Sequence, residues 1–251
     1  MIIEVPRLRY TFAFIMKKAF MALFFVKQIY LCQSMVSNRQ KFCDMSFEKK
    51  IRTKGLHYFI GSDESGRGSI AGPVVTASCC IISSNLDEYE RIEGVKDSKL
   101  LSSTERDRIY QEILSRHDDH IYFVAQRTNK QIDFTNIVNA TMESFKDSIQ
   151  GIVTSNNLPI DSCYAVVDGK KTPKLDAYFK GNLPCRPYVK ADAEIYTVAL
   201  ASIIARVTYD RIMGEKAHAL FPQYSFDRNF GYSTREHIES IHKLGPSLLH
   251  R

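Results

Sequence analysis

The feature that most constrains the fold of this chain is a pair of adjacent acids, Asp63 and Glu64, set between the apolar stretch Tyr58-Phe59-Ile60 and the tripeptide Gly66-Arg67-Gly68. Such an apolar stretch reads as a buried strand, and an ionised carboxylate at its end needs a partner. Neighbours on a strand point to opposite faces, so a strict strand would bring only one of the two carboxylates to a site. If both serve one site, the strand must turn there, which Gly61 and Gly66 permit. Close carboxylates repel, and a divalent cation is the least costly way to keep several ionised together. The pair is therefore a candidate metal site, and the Gly-Arg-Gly backbone beside it can approach a phosphate or sugar closely.

The surrounding pattern is that of an α/β domain. Residues 58–60 and 74–82 read as consecutive strands joined through the Gly-rich turn, and 121–125 as a third. Residues 103–115 read as a short helix with Ile109, Ile113 and Leu114 on one side. Val138, Thr141, Phe145, Ile149 and Ile152 mark one face of a helix over about residues 134–153. Residues 164–167 form another strand, ending at Asp168-Gly169. Asp192 then opens a long helix whose 198–207 section is apolar nearly all round and should be deeply buried. A carboxylate is favoured at the positive end of such a helix.

Charge says less about partners than the total suggests. The 251 residues carry a formal net charge of +6. Residues 1–54 hold 11 Lys/Arg against 3 Asp/Glu, and the remainder is slightly acidic. Between Asp168 and Asp192, however, lie Lys170, Lys171, Lys174, Lys180, Arg186 and Lys190 against only Asp176, a cluster that could hold phosphates or simply be a solvated loop. The six cysteines have no C-x-x-C spacing, so zinc is not indicated, and Cys79-Cys80 sit inside an apolar run as small hydrophobes, which fits a reducing compartment. Residues 1–44 show no clear period. Their longest apolar run, 19–26, is far shorter than the roughly 18 residues of a membrane span. They read as an unstructured extension, a targeting peptide, or sequence upstream of a start at Met35 or Met45.

Three acidic positions share a trait: Asp63-Glu64 and Asp168 end strands, and Asp192 begins a buried helix. Strand ends on one edge of a sheet can converge, but taken singly Asp168 reads as a turn former and Asp192 as a helix cap. Gly61-Ser62-Asp63-Glu64-Ser65-Gly66-Arg67-Gly68, followed by Ala71-Gly72-Pro73-Val74-Val75, resembles the signature of type 2 ribonuclease H, ribonuclease HII. Asp97-Ser98-Lys99-Leu100, Val167-Asp168-Gly169, Lys190-Ala191-Asp192-Ala193, the stretch from Ala201 to Thr208 and Gly231-Tyr232-Ser233-Thr234 match in order.

The resemblance implies a ribonuclease H-like α/β fold, a mixed five-stranded sheet flanked by helices with a helical C-terminal part. It implies that Asp63, Glu64, Asp168 and Asp192 are a catalytic, metal-binding tetrad for two Mg2+ or Mn2+ ions, about 4 Å apart, suited to in-line phosphodiester hydrolysis. The expected reaction cuts 5′ of ribonucleotides embedded in duplex DNA, and the RNA of RNA/DNA hybrids, leaving 3′-hydroxyl and 5′-phosphate. Backbone groups of Gly66, Arg67 and Gly68 would sense the 2′-hydroxyl, Tyr232 would stack on the sugar at the junction, and Lys99, with Ser98 a weaker candidate, would contact phosphate. Outside the motif, Tyr232 reads as a half-buried core tyrosine and Lys99 as a solvated lysine.

Departures from the family pattern bear on affinity rather than chemistry. They are Ser65 for alanine, Leu101 for a second lysine, Asn229-Phe230 for a histidine and lysine, and an end at His250-Arg251 before a basic, aromatic tail. The expected organisation is an extension over residues 1–54 and a catalytic domain over 55–251, monomeric, without membrane contact. It is expected to be cytoplasmic, or organellar if residues 1–44 are a transit peptide. Rival readings are a type 3 ribonuclease H, against which Arg67 argues, and a noncatalytic hybrid-binding module, against which retention of all four acids argues.

Overall fold

In the computed structural model, which describes residues 43–179 and 183–251, Asp63 and Glu64 lie on the central strand of the sheet. Five strands, β1 (Tyr58–Ser65), β2 (Val74–Ile81), β3 (His120–Arg127), β4 (Cys163–Asp168) and β5 (Cys185–Tyr188), are arranged in the order β3-β2-β1-β4-β5. β1 pairs antiparallel with β2 and parallel with β4. The expected turn at the acids does not occur. β1 continues through them, with Asp63 opposite Ala77 and Glu64 opposite Thr76, and the chain leaves the strand only at Gly66, where φ is +80°. Gly61 serves a different purpose from the one its position suggested. A Cβ there would lie 2.6 Å from the backbone of Thr197 and Val198, so the glycine lets a helix cross directly on the strand.

Among the described residues six longer helices accompany the sheet: α1 (Ser46–Arg52), α2 (Ser103–Ser115), α3 (Asn129–Thr135), α4 (Ile137–Ser155), α5 (Tyr196–Arg211) and α6 (Arg235–Leu244), with shorter helical turns between them. α4 and α5 cover opposite faces. α5 packs on Ala77, Cys79 and Ile81 of β2, whereas Phe145, Ile149 and Ile152 of α4 pack with Ile60, Cys80, Ala165 and Val167. A strand covered on both faces has no solvent side, so β2 is buried at every position, including Thr76 and Ser78. Buried hydroxyls tie the layers together: Ser78 bridges Ser62 and Ser148 at 2.8 and 2.9 Å, and Thr76 meets Ser144 at 2.8 Å.

The helix expected over about 134–153 is two helices. Asn136, at φ 99°, interrupts them, and its side chain caps α4 by accepting from the Asn139 amide at 3.0 Å. Similarly, Asp192 does not open α5. It lies in a separate turn, Ala191–Glu194, entered through Lys190 in the left-handed region and set off from α5 by extended Ile195.

The described residues from Cys43 to Arg251 form one compact unit. α1, within the segment expected as an extension, belongs to it: buried Ile51 packs with Phe59 and Val198, and Glu48 Oε1 accepts from the amide and hydroxyl of Thr197, both at 2.8 Å. The readings of residues 1–42, and Lys180, lie outside the described residues. At the other end, His250 bridges Ala71, and Gly72 N–H donates to Leu249 O at 2.8 Å. The C-terminal segment thus lies along the loop that leaves β1.

Candidate active site

Four acids meet where β1 and β4 run side by side. Ser62 pairs with Val167, so the next residues along the two parallel strands, Asp63 and Asp168, are neighbours toward their carboxyl ends. Asp168 Oδ1 accepts from the Ala191 amide at 2.8 Å, which ties β4 to the turn that carries Asp192. Glu64 points to the other face of β1 from Asp63, yet its longer side chain reaches the same edge, where Arg67 holds Oε1 at 3.1 Å. The strand did not have to bend for both acids to contribute.

The electrostatics follow from crowding. Asp63, only 4 % exposed, has its pKa pushed well above the ordinary carboxylate range by burial, then by Glu64 and Asp168. Burial raises Glu64 against the opposing pull of Arg67, and raises Asp168 against its Ala191 hydrogen bond. Asp192 is pushed up to about 6 by burial and then by Asp97 and Asp168. Lys99 answers this charge. Burial would lower its pKa, but Asp63, Asp97, Asp192 and Asp168 together hold it above the usual value, with Nζ 3.9 Å from Asp192.

This donor set fits hard divalent cations. All four donors are carboxylates, the oxygen ligands such ions take, and Glu64 Oε2 is buried without a hydrogen-bond partner. Among the described residues no three such groups stand together as a ready-made ligand set.

A cleft of about 660 Å3 opens over this edge, lined by Asp168, Asp192 and Asp97 and by five cations: Arg67, Lys99, Lys170, Lys171 and Lys190. Part of the basic segment is thereby brought to the acids. Lys174 lines a neighbouring groove, and Arg186 is exposed on β5. Lys99 projects from a short turn capped by Asp97, whose Oδ1 accepts from the Lys99 amide at 2.9 Å. Ser98 is placed differently from expectation: it is buried, with its hydroxyl 2.9 Å from that of Ser202 rather than toward the cleft. Ser202 in turn hydrogen-bonds Asp63. Asp97 and Ser202 stand in the recognised motifs, but neither was singled out from the sequence.

The loop after β1 forms a rim. A Cβ at Gly66 would strike the Tyr209 ring at 2.2 Å, whereas one at Gly68 would meet only Tyr232, at 4.0 Å. Gly68 therefore faces a gap beside the tyrosine ring. Tyr209 donates to Phe230 O at 2.6 Å and accepts from the Ser69 hydroxyl at 2.6 Å, while Ile70 N–H donates to Gly231 O at 2.9 Å. The Gly66–Gly68 rim and Tyr232 are thus one connected unit. Leu101, at the expected second-lysine position, is buried in the core, and buried Asn229 shapes the turn before Tyr232 by accepting from Gly231 N at 2.8 Å.

The family model for ribonuclease HII matches residues 60–251. The ribonuclease HII of Caldicellulosiruptor bescii is 37 % identical over 204 residues, covering 81 % of this chain and 89 % of that protein. The ribonuclease HII of Archaeoglobus fulgidus, solved in complex with PCNA, superposes with a TM-score of 0.60 at 26 % identity, covering 77 % of this chain and 93 % of that one. Ribonuclease H2 of Pyrococcus horikoshii gives a TM-score of 0.52 at 28 % identity, with 76 % and 90 % covered.

Proposed function

Given that the chain belongs to the ribonuclease HII family and is a ribonuclease H, we propose that it hydrolyses the phosphodiester 5′ of ribonucleotides embedded in duplex DNA. On the same reading it degrades the RNA strand of RNA/DNA hybrids, leaving 3′-hydroxyl and 5′-phosphate. The observation that carries this is the adjacency of two units. The acids with Lys99 lie at the β1–β4 edge, and Gly66–Gly68 follow directly from β1, with Tyr232 of the C-terminal part beside Gly68.

The family is divalent-metal dependent. Asp63, Glu64, Asp168 and Asp192 are the residues that would hold Mg2+ or Mn2+. Bound there, such ions supply activation of the attacking water and stabilisation of charge on the leaving oxygen. The chain's own groups do the rest. Lys99, its ammonium exposed over the acids, counters phosphate charge that the carboxylates would otherwise repel. Arg67, fixed by Glu64, keeps its backbone at the rim. The Arg67 and Gly68 amides read the 2′-hydroxyl, the one group that separates a ribonucleotide from its deoxy neighbours. Tyr232, steadied by Tyr209 against one side and the Arg206 guanidinium 5.7 Å from its ring centroid, offers a stacking surface to the junction sugar. Such an activity removes misincorporated ribonucleotides and RNA primers.

The test is incubation of the protein with duplex DNA carrying a single ribonucleotide and Mg2+ or Mn2+, beside Asp63→Asn. A metal-dependent nick 5′ to the ribonucleotide, lost in the variant, is expected. Cleavage confined to long RNA tracts would replace this reading with the type 3 preference, and binding without cleavage would make the protein a hybrid-binding module.

A further inference from the structure

The loop that senses the substrate is held from behind by one side chain far away in sequence. Arg251 Nε donates to Gly72 O at 2.9 Å. Its Nη1 donates to Arg67 O and Ser69 O at 3.3 and 2.7 Å, and its Nη2 to Gly66 O and Pro73 O at 2.7 and 2.6 Å. All five guanidinium N–H groups are thus used on five carbonyls of a single loop. Its backbone amide adds a sixth tie, to Ile70 O at 3.0 Å.

The arrangement determines where the loop's amides point. In a trans peptide the C=O of one residue and the N–H of the next point in opposite directions, and among the described residues there are no cis bonds. With the Gly66 and Arg67 carbonyls drawn toward Arg251, the N–H groups of Arg67 and Gly68 must point away from it. The same rule is seen at work one step on. Ser69 O faces Arg251, and Ile70 N–H points away to Gly231 O. Five carbonyl dipoles converging on one spot repel one another, and the guanidinium charge is what makes that convergence favourable.

We propose that Arg251 is a positioning residue for ribonucleotide recognition: its guanidinium gathers the carbonyls of the 66–73 loop so that the Arg67 and Gly68 amides face the substrate. It touches neither the acids nor the cleft. The role rests on the reading of Gly66–Gly68 as the ribose sensor, and it predicts a loss of discrimination with the metal site intact. Lysine at this position keeps the charge but has three donors and no planar fork, so it satisfies part of the loop only.

The experiment compares the full chain with Arg251→Ala and Arg251→Lys, below the melting temperature of each. It measures kcat and KM on duplex DNA with one ribonucleotide, relative binding of RNA/DNA hybrid and all-DNA duplex, and Mn2+ binding by calorimetry. Misplacing a recognition group by about 1 Å costs on the order of a hundredfold. Arg251→Ala is therefore expected to lose about a hundredfold in kcat/KM on the single-ribonucleotide duplex, to bind hybrid and all-DNA duplex nearly alike, and to bind Mn2+ unchanged. Arg251→Lys should fall in between. A folded Arg251→Ala with wild-type discrimination overturns the proposal, as does a loss that merely follows the unfolded fraction. If the alanine variant does not fold, full discrimination by a folded Arg251→Lys overturns it equally. Failure of the wild-type chain to nick at a single ribonucleotide would sink the reading of the sensor instead, and Arg251 would then be judged on hybrid against all-DNA binding alone.

Discussion

Crowding at the acid cluster makes the metal-free protein less stable at neutral pH than it would be with fewer carboxylates, and Asp192→Asn measures by how much. Asp192 titrates near 6 in the folded chain against an ordinary 3.8. The folded state therefore binds a proton more tightly than the unfolded one between those values. Below 3.8 both states are protonated and the group contributes nothing. As pH rises through 3.8 to 6 stability falls, and above 6 the full cost is present. Two units correspond to about 3 kcal/mol. The side chain is only 6 % exposed but lines a solvent-filled cleft, so screening reduces this to roughly 1–2 kcal/mol. For a domain of this size that is about 3–6 °C. By scanning calorimetry in EDTA at pH 7.5, Asp192→Asn should melt that much above the wild type, and the gap should close by pH 4. Saturating Mg2+ should reverse the order, because a ligand at a hundred times its Kd adds about 2.7 kcal/mol to a protein that binds it. An asparagine variant no more stable than wild type in EDTA at pH 7.5, or a gap indifferent to pH, would refute the account of the cluster.

Three further outcomes are expected. A chain starting at residue 55 should be less stable than one starting at residue 43 by on the order of 5 kcal/mol in urea denaturation, since it forfeits burial of Ile51 and the Glu48–Thr197 hydrogen bonds. Gly66→Ala places a Cβ 2.2 Å from the Tyr209 ring at positive φ, so it should cost at least about 2 kcal/mol and displace the rim, seen as lost cleavage of single-ribonucleotide duplexes in steady-state assays. Acid should loosen the C-terminal segment. His237 donates from Nδ1 to Tyr232 O, leaving its Nε2 to accept from His250 Nε2 at 3.0 Å, and His250 Nδ1 accepts from Ser247. Burial and then His237 lower the His250 pKa, so its contribution is present above about 6.5 and is lost as pH falls below that. Hydrogen exchange at the Gly72 and Arg251 amides, compared at equal intrinsic rates, should lose protection on going from pH 7.5 to pH 5.5.

What the sequence made legible was what local pattern encodes. The apolar run before Asp63, the buried helix at 198–207 and the one-sided stretch at 103–115 each carry a local pattern within a few residues. Asn136 escaped because the amphipathic pattern continues across it, and only its positive φ marks the break. α1 escaped because it lies in a strongly basic stretch, and a charge count averages over the one face that Ile51 and Phe47 bury. β5 is four residues long and contains Pro187, too short for alternation to register. The residues behind the rim were out of reach for another reason. Ser69 and Tyr209 are 140 positions apart, and Gly66 and Arg251 are 185 apart. No spacing rule connects them.

These separations divide the site into two parts with different supports. The acids are fixed by the sheet: Asp63 by the pairing of β1 with β2 and β4, Asp168 by β4, and Asp192 through the Ala191 amide that Asp168 holds. The 66–73 loop, which begins only two residues after Glu64, is anchored at its ends by the β1–β2 pairing and at Arg67 by Glu64, but its middle takes its shape from elsewhere. It is held by Tyr209 of α5, by Gly231 and by Arg251, all from the C-terminal part of the chain. Disturbing β4 or the turn after β5 should therefore change metal binding and leave the ribose preference of the residual activity alone, whereas disturbing the C-terminal segment should do the reverse. Gly66 is where the two supports meet, since it ends the strand that carries the acids and begins the loop that Arg251 gathers. A change there is the one expected to damage chemistry and discrimination together.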